Sequence, residues 1–348
     1  MKFSELKIGD LTAKIPLIQG GMGVGVSLSN LAAAVANEGG IGIISGVQIG
    51  FREPDFYTNT VEANLRAIGS EIKKAREKSK GIIGMNLMAA MNNYELYVKE
   101  AVREKIDLII SGAGIPLTLP KLVKDSTTKI APIVSSAKAA RIIINSWLKH
   151  DRLPDAVVVE GPLAGGHLGF KHEELVENKC KNLVQLTIEV KELVKTYEEK
   201  FNVKIPVISA GGIRTKEDIE ELIAAGADGV QMASIFVPTV ECDAHENFKL
   251  AYINASDEDV LIIKSPVGMP ARAIRTNFLT SALNKGCSPL KKCFICMPNC
   301  DPNNIPYCIS VGLIDSVQGR DGLIFSGANL ESINKITTVK AVIDSLFK

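Results

Sequence analysis

The residue best suited to proton transfer is His167, which lies in the glycine-rich run Glu160-Gly-Pro-Leu-Ala-Gly-Gly-His-Leu-Gly169. An imidazole has an ordinary pKa of about 6.5, so it can take or give a proton at neutral pH. A single histidine in a loop is more often solvated or structural. This one lies in the glycine-rich loop that follows the apolar run Ala156–Glu160, where a buried strand would end at a cleft. The setting therefore favours a catalytic role for His167.

Two other glycine-containing segments have the donors that an anion needs. One ends in Gly211-Gly212, where bare backbone N–H groups can approach a ligand closely, and the other ends in Met232-Ala-Ser234. Thr215 with Asp218 three residues later predicts the N-cap of the intervening helix. A phosphate site between these two segments is favoured. The alternative is a glycine turn and a helix cap that bind no ligand.

A third glycine turn, Gln19-Gly-Gly-Met-Gly-Val-Gly25, contains the Gly-x-Gly spacing of dinucleotide-binding folds. Such folds place an acidic residue at the end of the next strand to hold the ribose. Here the next apolar run, Ile41–Ser45, is followed by Gly46 instead. A turn that packs its backbone against a flat ring is the better interpretation.

The elements that would position these residues alternate along the first 240 residues. Eight short apolar runs are predicted as strands: Pro16–Gln19, Ile41–Ser45, Ile82–Leu87, Leu108–Ser111, Ala131–Ser135, Ala156–Glu160, Pro206–Ala210 and Gly229–Ala233. Amphipathic stretches between them are predicted as helices: Leu28–Asn37, Val61–Lys78, Tyr94–Lys105, Ala137–Lys149, Leu183–Lys200 and Lys216–Ala225. This count favours an α/β fold of the (β/α)8 TIM-barrel type over an open doubly wound sheet. Glycine or small polar residues end most of the runs, where barrel active sites are built.

The composition limits the kinds of molecule that the protein is expected to bind. The 348 residues carry 40 Lys and Arg against 39 Asp and Glu, a net charge of +1, so no basic field for nucleic acid is expected. No apolar run is long enough for a membrane span, and the first residues lack a signal-peptide core. We expect a cytoplasmic protein that acts on a small molecule. An amphipathic C-terminal stretch, Leu330–Phe347, is expected to pack on the barrel or on a second subunit of a homo-oligomer.

Taken together, the motifs resemble the nitronate monooxygenase (2-nitropropane dioxygenase) family and the related flavin-dependent enoyl-ACP reductases. The resemblance covers roughly residues 14–280. It is carried by Gln19-Gly-Gly-Met22, Asn30-Leu-Ala-Ala-Ala34, Gly39-Gly-Ile-Gly42, Gly84-Met-Asn-Leu-Met88, Ser135-Ser136, Glu160 to Gly169, Pro206 to Ile213 and Gly226 to Phe236. It implies a flavoprotein that binds FMN, since one phosphate site and no pyrophosphate loop are present.

The resemblance also implies a role for each matching residue. His167 corresponds to the catalytic histidine. The expected FMN-binding residues are Gly21, Met22, Gly23, Asn86, Ser136, Glu160, Gly165, Gly166, Gly211, Gly212, Gln231, Met232, Ala233 and Ser234. The last motif departs from the family pattern Gln-x-Gly-Thr-Arg-Phe, because Ala233 replaces the glycine and Ile235 replaces the arginine. Ser234 keeps the hydroxyl.

Three functions remain open at this stage. The first is an FMN-dependent oxidoreductase of the nitronate monooxygenase type, in which His167 removes the proton next to the nitro group and flavin N5 takes electrons. The second is an enoyl-ACP reductase that uses NAD(P)H as reductant. The third is a flavin or electron-transfer module without turnover. Met88, Met91 and Ile115 are expected to make part of the substrate pocket apolar.

The C-terminal third carries two further features. We divide the chain into an FMN-binding barrel (1–240), a lid or substrate segment (241–280) and a Cys-rich segment with C-terminal helices packing on the barrel (281–348). Arg272 and Arg275 in the lid could meet an anionic substrate or form surface salt bridges. Five of the seven cysteines crowd together as Cys287, Cys293, Cys296, Cys300 and Cys308. Their spacing allows a zinc ion or an iron–sulfur cluster, above all at Cys293, Cys296 and Cys300, or simply reduced thiols.

Overall fold

The computed structural model describes residues 3–285, 293–298 and 300–348. Eight parallel strands close into a barrel, and we number them β1 to β8 in chain order. Their bounds are Leu17–Gln19, Ile41–Ser45, Ile82–Met88, Leu108–Gly112, Lys129–Val134, Val157–Glu160, Val207–Ala210 and Gly229–Met232. Each strand pairs with its sequence neighbours, and β8 pairs with β1 through Gln231 and Ile18, among others. The predicted (β/α)8 barrel is confirmed, with strand ends displaced by no more than two residues.

The barrel interior explains why the strand sequences are apolar throughout. Every second side chain points to the axis, and those of Ile43, Ile110, Val158 and Ile208 form one interior cluster. The alternate side chains pack outward against helices, so neither face of a strand is solvated. An antiparallel hairpin, Leu6–Ile8 with Leu11–Ala13, was not predicted, and its apolar side chains join the same interior cluster.

Helices surround the barrel where the periodicity predicts them. Those of the barrel layer are Ser29–Asn37, Thr60–Lys78, Tyr94–Arg103, Leu119–Leu122, Ala137–Leu148, His172–Val176, Leu183–Phe201 and Lys216–Ala224. The C-terminal helix begins at Val339 and ends at Phe347, later than predicted, because Leu330–Ser332 forms only a 3-10 turn. Its apolar face packs with Leu31 and Ile219 of the first and last barrel-layer helices. It therefore fills the place of the helix that would follow β8.

The chain between β8 and this helix forms a cap over the barrel. It contains helices Glu246–Asn254, Asn277–Lys285 and Ile309–Val317. It also supplies the strands Val260–Lys264 and Pro270–Ile274, a hairpin that pairs antiparallel with the two-residue strand Gly166–His167. The cap hairpin and the loop that follows β6 therefore form one small sheet. Across the described ranges of the chain, none of the helices combines the length and the apolar character that crossing a membrane would require.

Candidate active site

A cavity of about 250 Å³ opens at the carboxyl ends of the barrel strands, beneath the cap. Its floor is the last inward-facing layer of the barrel. The two-residue period that buries Ile43 and Val158 brings Ser45, Asn86, Glu160 and Gln231 into this layer. Polar side chains therefore replace aliphatic ones where the axis meets the cavity, which is where enzymes with this fold place their chemistry.

Gln231 is a buried polar group that lacks a partner. Its Oε1 atom is enclosed and has no hydrogen-bond partner among the described residues. An unpaired buried acceptor costs about 1–3 kcal/mol, so an N–H of a bound ligand is the natural partner. Beside it lies Gly21, which has no side chain. A Cβ added at this position would come within 2.4 Å of the Cβ of Asn86. The floor thus has space and an open acceptor for a flat polar ring.

The ends of β7 and β8 form a candidate anion site at one edge of the cavity. Gly211 and Gly212 adopt positive φ values of 100° and 82°, which residues other than glycine rarely adopt. No described residue accepts a hydrogen bond from the backbone N–H of Gly212, Ala233 or Ser234. The next helix begins with the predicted capping box of Thr215 and Asp218. Amide donors at a helix N-terminus are the arrangement that binds phosphate in barrels.

His167 lines the cavity and is fixed by the cap. It pairs in register with Ala271 of the cap hairpin, and its Nε2 atom lies 2.9 Å from Oγ of Ser265. Its ring meets that of Phe325 edge to face, with 5.1 Å between the centroids. Burial lowers the pKa of His167 to about 4, because desolvation disfavours the imidazolium. At neutral pH the ring is therefore neutral and able to accept a proton.

Glu160 is the second titratable group in the cavity. Burial raises the pKa of its carboxyl to about 8, and no described residue donates a hydrogen bond to it. Two groups whose pKa values are displaced in opposite directions share one cavity, a pattern that is typical of acid–base sites.

The structure brings together all of the predicted site residues except Ser136. Its side chain instead accepts a hydrogen bond from Ala139 N at 3.2 Å and caps the helix Ala137–Leu148. Of the residues expected to set the substrate, Met88 and Met91 line the cavity, whereas Ile115 lies outside it and is 57% exposed.

The comparisons with known proteins agree with this geometry. The family model for nitronate monooxygenase matches residues 4–348. The chain belongs to the nitronate monooxygenase family. A probable nitronate monooxygenase from Staphylococcus aureus (strain MSSA476) is 24% identical over 294 residues, which cover 77% of this chain and 78% of the relative. The resemblance seen in the sequence is thus confirmed, and the family is one of oxidoreductases.

Solved structures share the whole fold. FabK from Thermotoga maritima is 26% identical, with a TM-score of 0.73 over 96% of this chain and 92% of its own. A nitroalkane oxidase from Streptomyces ansochromogenes has a TM-score of 0.72 over 96% of this chain and 95% of its own. At 19% identity, the likeness to the second structure concerns the fold alone.

In this family member, neither Arg272 nor Arg275 lines the cavity. Arg272 is buried, and its Nη1 atom donates to the carbonyl oxygens of Pro162 and Ala164, each at 2.6 Å. Arg275 is exposed, and its backbone N–H donates to Asp259 O. Arg272 therefore holds the loop that leads to His167, and it does not meet a ligand directly.

The cap contributes cavity residues that the sequence did not indicate. Ser326 and Gly327 lie at the anion site, where Gly327 N donates to Ser234 Oγ at 3.0 Å. Arg214 lines the same edge and donates to the carbonyl oxygens of Ala328 and Asn329. Other unpredicted lining residues are Tyr252, Phe294, Cys296, Met297, Ser310 and Phe325. The one sequence feature that could have indicated these lining residues is the apolar run ending in Phe325-Ser-Gly.

The cysteines surround a second cavity, of about 450 Å³, which shares Phe294, Cys296 and Met297 with the first. Cys293, Cys300 and Cys308 also line it, whereas Cys287 lies outside the described residues. Among the residues that are described, no three His, Cys, Asp or Glu side chains are placed to hold a metal ion. Burial raises the pKa of the Cys296 thiol.

Proposed function

We propose that the protein is an FMN-dependent oxidoreductase that oxidises alkyl nitronates with O2. One observation carries this proposal: a neutral, half-buried His167 faces a cavity whose floor and edge have unpaired hydrogen-bonding groups for a flat ring and a phosphate. Membership of the nitronate monooxygenase family supports the same chemistry.

The residues fit FMN in two respects. The open Oε1 of Gln231 suits an N–H of the ring, and the amides at Gly212, Ala233 and Ser234 suit one phosphate. Both sets lie at strand ends of the same cavity, and the amides after the last two strands form one candidate anion site. A cofactor with one phosphate is therefore preferred to one with a pyrophosphate.

His167 would act as the base. When bound, FMN supplies an acceptor for electrons taken from the substrate. The neutral imidazole would take the proton from the carbon next to the nitro group of a nitroalkane, which yields the nitronate that is oxidised. The edge-to-face contact with Phe325 and the hydrogen bond to Ser265 hold the ring in place. A general base typically contributes about 10²–10⁴-fold to rate.

The test is anaerobic spectroscopy of protein reconstituted with FMN. An alkyl nitronate added alone should bleach the flavin, and O2 should restore the colour. Nicotinamides should have no effect on their own. A matched protein with His167→Asn should stay yellow and lose turnover of the neutral nitroalkane, whose proton the imidazole removes. Protein that takes up no FMN would contradict the proposal at its base.

A second candidate is an enoyl reductase that uses NAD(P)H, and the sequence and fold likeness to FabK favours it. The same experiment separates the two, because bleaching by NADH or NADPH alone would identify the reductase. A non-catalytic flavin module would show neither reaction, and His167→Asn would then change nothing.

A further inference from the structure

The cysteines of the C-terminal segment share one cavity. Four of them, Cys293, Cys296, Cys300 and Cys308, line a space of about 450 Å³ and follow the spacing Cys-x2-Cys-x3-Cys-x7-Cys. The other described residues that line it are apolar apart from Asn92. Thiols are thus the only ionisable side chains that the described part of the chain brings to this cavity. Several thiols facing one space are a donor set that soft metals prefer.

The four thiols lie close enough to affect one another electrostatically. Burial raises the pKa of Cys296, and the neighbouring Cys293 raises it further. Burial is also the largest cause of the raised pKa values of Cys300 and Cys308, and both Cys296 and Cys293 add to it. Thiolates this close together repel one another. They become favourable as a group only when positive charge lies between them, as it does in a metal centre.

Polar hydrogens around the sulfurs favour the thiolate form. Ile295 N donates a hydrogen bond to Cys293 Sγ at 3.3 Å, and Ser310 Oγ donates one to Cys296 Sγ at 3.4 Å. Cys308 is the N-cap residue of the helix that begins at the next position, where the free N–H groups and the helix dipole favour negative charge. Hydrogen bonds to the sulfurs are among the features that tune iron–sulfur centres.

The turn between the first two cysteines is held in a costly conformation. Ile295 has a φ of 49°, in the left-handed region that β-branched residues rarely adopt. Its side chain is 73% exposed, so packing in the core does not explain this backbone. Asn92, in the loop after β3, donates from Nδ2 to Ile295 O at 2.6 Å and from its backbone N–H to Cys296 O at 3.1 Å. Strain of this kind is typical of ligand sites, and here it turns both thiols toward one cavity.

The size of the site distinguishes between the metals that thiolates bind. Within the ranges that the structure describes, no three donors are placed to hold one metal ion, which argues against zinc. Four sulfurs around zinc lie within about 4 Å of one another, because each Zn–S bond is about 2.3 Å long. In an iron–sulfur cluster, irons and inorganic sulfides lie between the thiolates and hold them farther apart. The wide cavity therefore suits a cluster better than a single ion.

We propose that Cys293, Cys296, Cys300 and Cys308 bind a four-iron, four-sulfide cluster. The inference goes beyond the proposed function and does not depend on a bound flavin. Cys296 lines both cavities, together with Phe294 and Met297. Cys293 is exposed. The cluster site thus extends from the wall of the active-site cavity to the surface.

The experiment measures the metal itself. The full chain is purified without oxygen and is then incubated anaerobically with ferrous iron and sulfide. We expect about four iron and four acid-labile sulfide per chain. After reduction with dithionite, we expect the low-temperature electron paramagnetic resonance signal of an iron–sulfur cluster. Neither readout requires FMN or turnover.

Single substitutions locate the site. Cys293→Ser and Cys296→Ser should each lose most of the iron and sulfide and the resonance signal. Cys293→Ser is the more decisive variant, because this side chain is exposed and its replacement leaves the core unchanged. Cys180→Ser is the matched control, since Cys180 lines neither cavity, and it should bind the full complement. Thermal unfolding of the three variants without iron checks that each is folded.

The outcomes are separable. Less than one iron per chain after incubation would overturn the proposal, and so would stoichiometric zinc that iron and sulfide do not displace. Iron that Cys293→Ser and Cys296→Ser retain as fully as Cys180→Ser would be adventitious and would also overturn it. A chain that binds the cluster but takes up no FMN would contradict only the proposed function.

Discussion

Ser265 Oγ lies 2.9 Å from Nε2 of His167, although 98 residues separate the two along the chain. Ser265 is 6% exposed and lies outside the cavity lining, so it contacts the imidazole on the side away from the cavity. The bond occupies one ring nitrogen, and Nδ1 has no partner among the described residues. The turn of the cap hairpin therefore determines which nitrogen of His167 is available to a ligand.

Removing this hydroxyl should affect catalysis more than binding. In Ser265→Ala the imidazole can rotate, and we expect kcat for oxidation of the nitroalkane to fall about tenfold, in the range seen for residues that orient a catalytic group. KM and FMN affinity should change little. Ser265→Thr, which keeps the hydroxyl, should recover most of the rate. Equal losses in both variants would mean that the hydroxyl does not orient His167.

The pH dependence of stability should reflect His167. Its pKa is about 4 in the folded protein and about 6.5 when unfolded. Between these values the unfolded chain binds more protons, so stability contributed by the neutral ring is present above pH 6.5 and is lost as pH falls through 4. Urea unfolding at several pH values should show this fall in the free energy of unfolding. His167→Asn should flatten that part of the curve, whereas His150→Asn, an exposed loop position, should not.

Arg272 should be essential to the loop that precedes His167, and Arg275 should be dispensable. Replacing Arg272 by Met leaves the carbonyl oxygens of Pro162 and Ala164 without their donor. Each buried orphan acceptor costs about 1–3 kcal/mol, so Tm should fall by several degrees and turnover should fall with it. Arg275→Met, at an exposed site, should stay within about 0.5 kcal/mol of the parent. A normal Tm for Arg272→Met would show that the clamp is not needed.

The barrel was predictable because the sequence patterns that determine its strands and helices are local. Strands such as Leu108–Gly112 are apolar on both faces, and the Thr215–Asp218 capping box is visible as a four-residue pattern. Family motifs then placed Gln231 and His167 in one cavity. Ser136 lies outside the cavity lining and caps the helix that follows it, a role that depends on where that helix begins.

The cap was not predictable in the same way. Arg272 reaches Pro162 across 110 residues, and a charged side chain next to prolines and glycine carries no sign that backbone carbonyls will be its partners. The strand Gly166–His167 has only two residues and exists because the hairpin Val260–Ile274 pairs with it. Contacts of this kind come from tertiary packing, which overrides local pattern.

Gly165 tests how closely the cap approaches the site. A Cβ at this position would come within 2.5 Å of the backbone carbon of Ser326, an atom that cannot swing away as a flexible side chain would. Gly165→Ala should therefore push the Ser326 segment away from the anion site, where Gly327 N donates to Ser234 Oγ. We expect about a tenfold or larger loss of FMN affinity and a destabilisation of about 1–3 kcal/mol, as for other overpacked sites.

Gly69→Ala is the matched control, because Gly69 lies within the helix Thr60–Lys78 and a Cβ there would be 3.4 Å from the nearest side-chain atom. Alanine is favoured over glycine in a helix by about 1 kcal/mol, so this variant should keep its FMN affinity and its Tm should not fall. FMN titration and thermal unfolding of both variants decide the matter. If Gly165→Ala bound FMN as tightly as Gly69→Ala, the cap would not be in close contact with the β6 loop at the site.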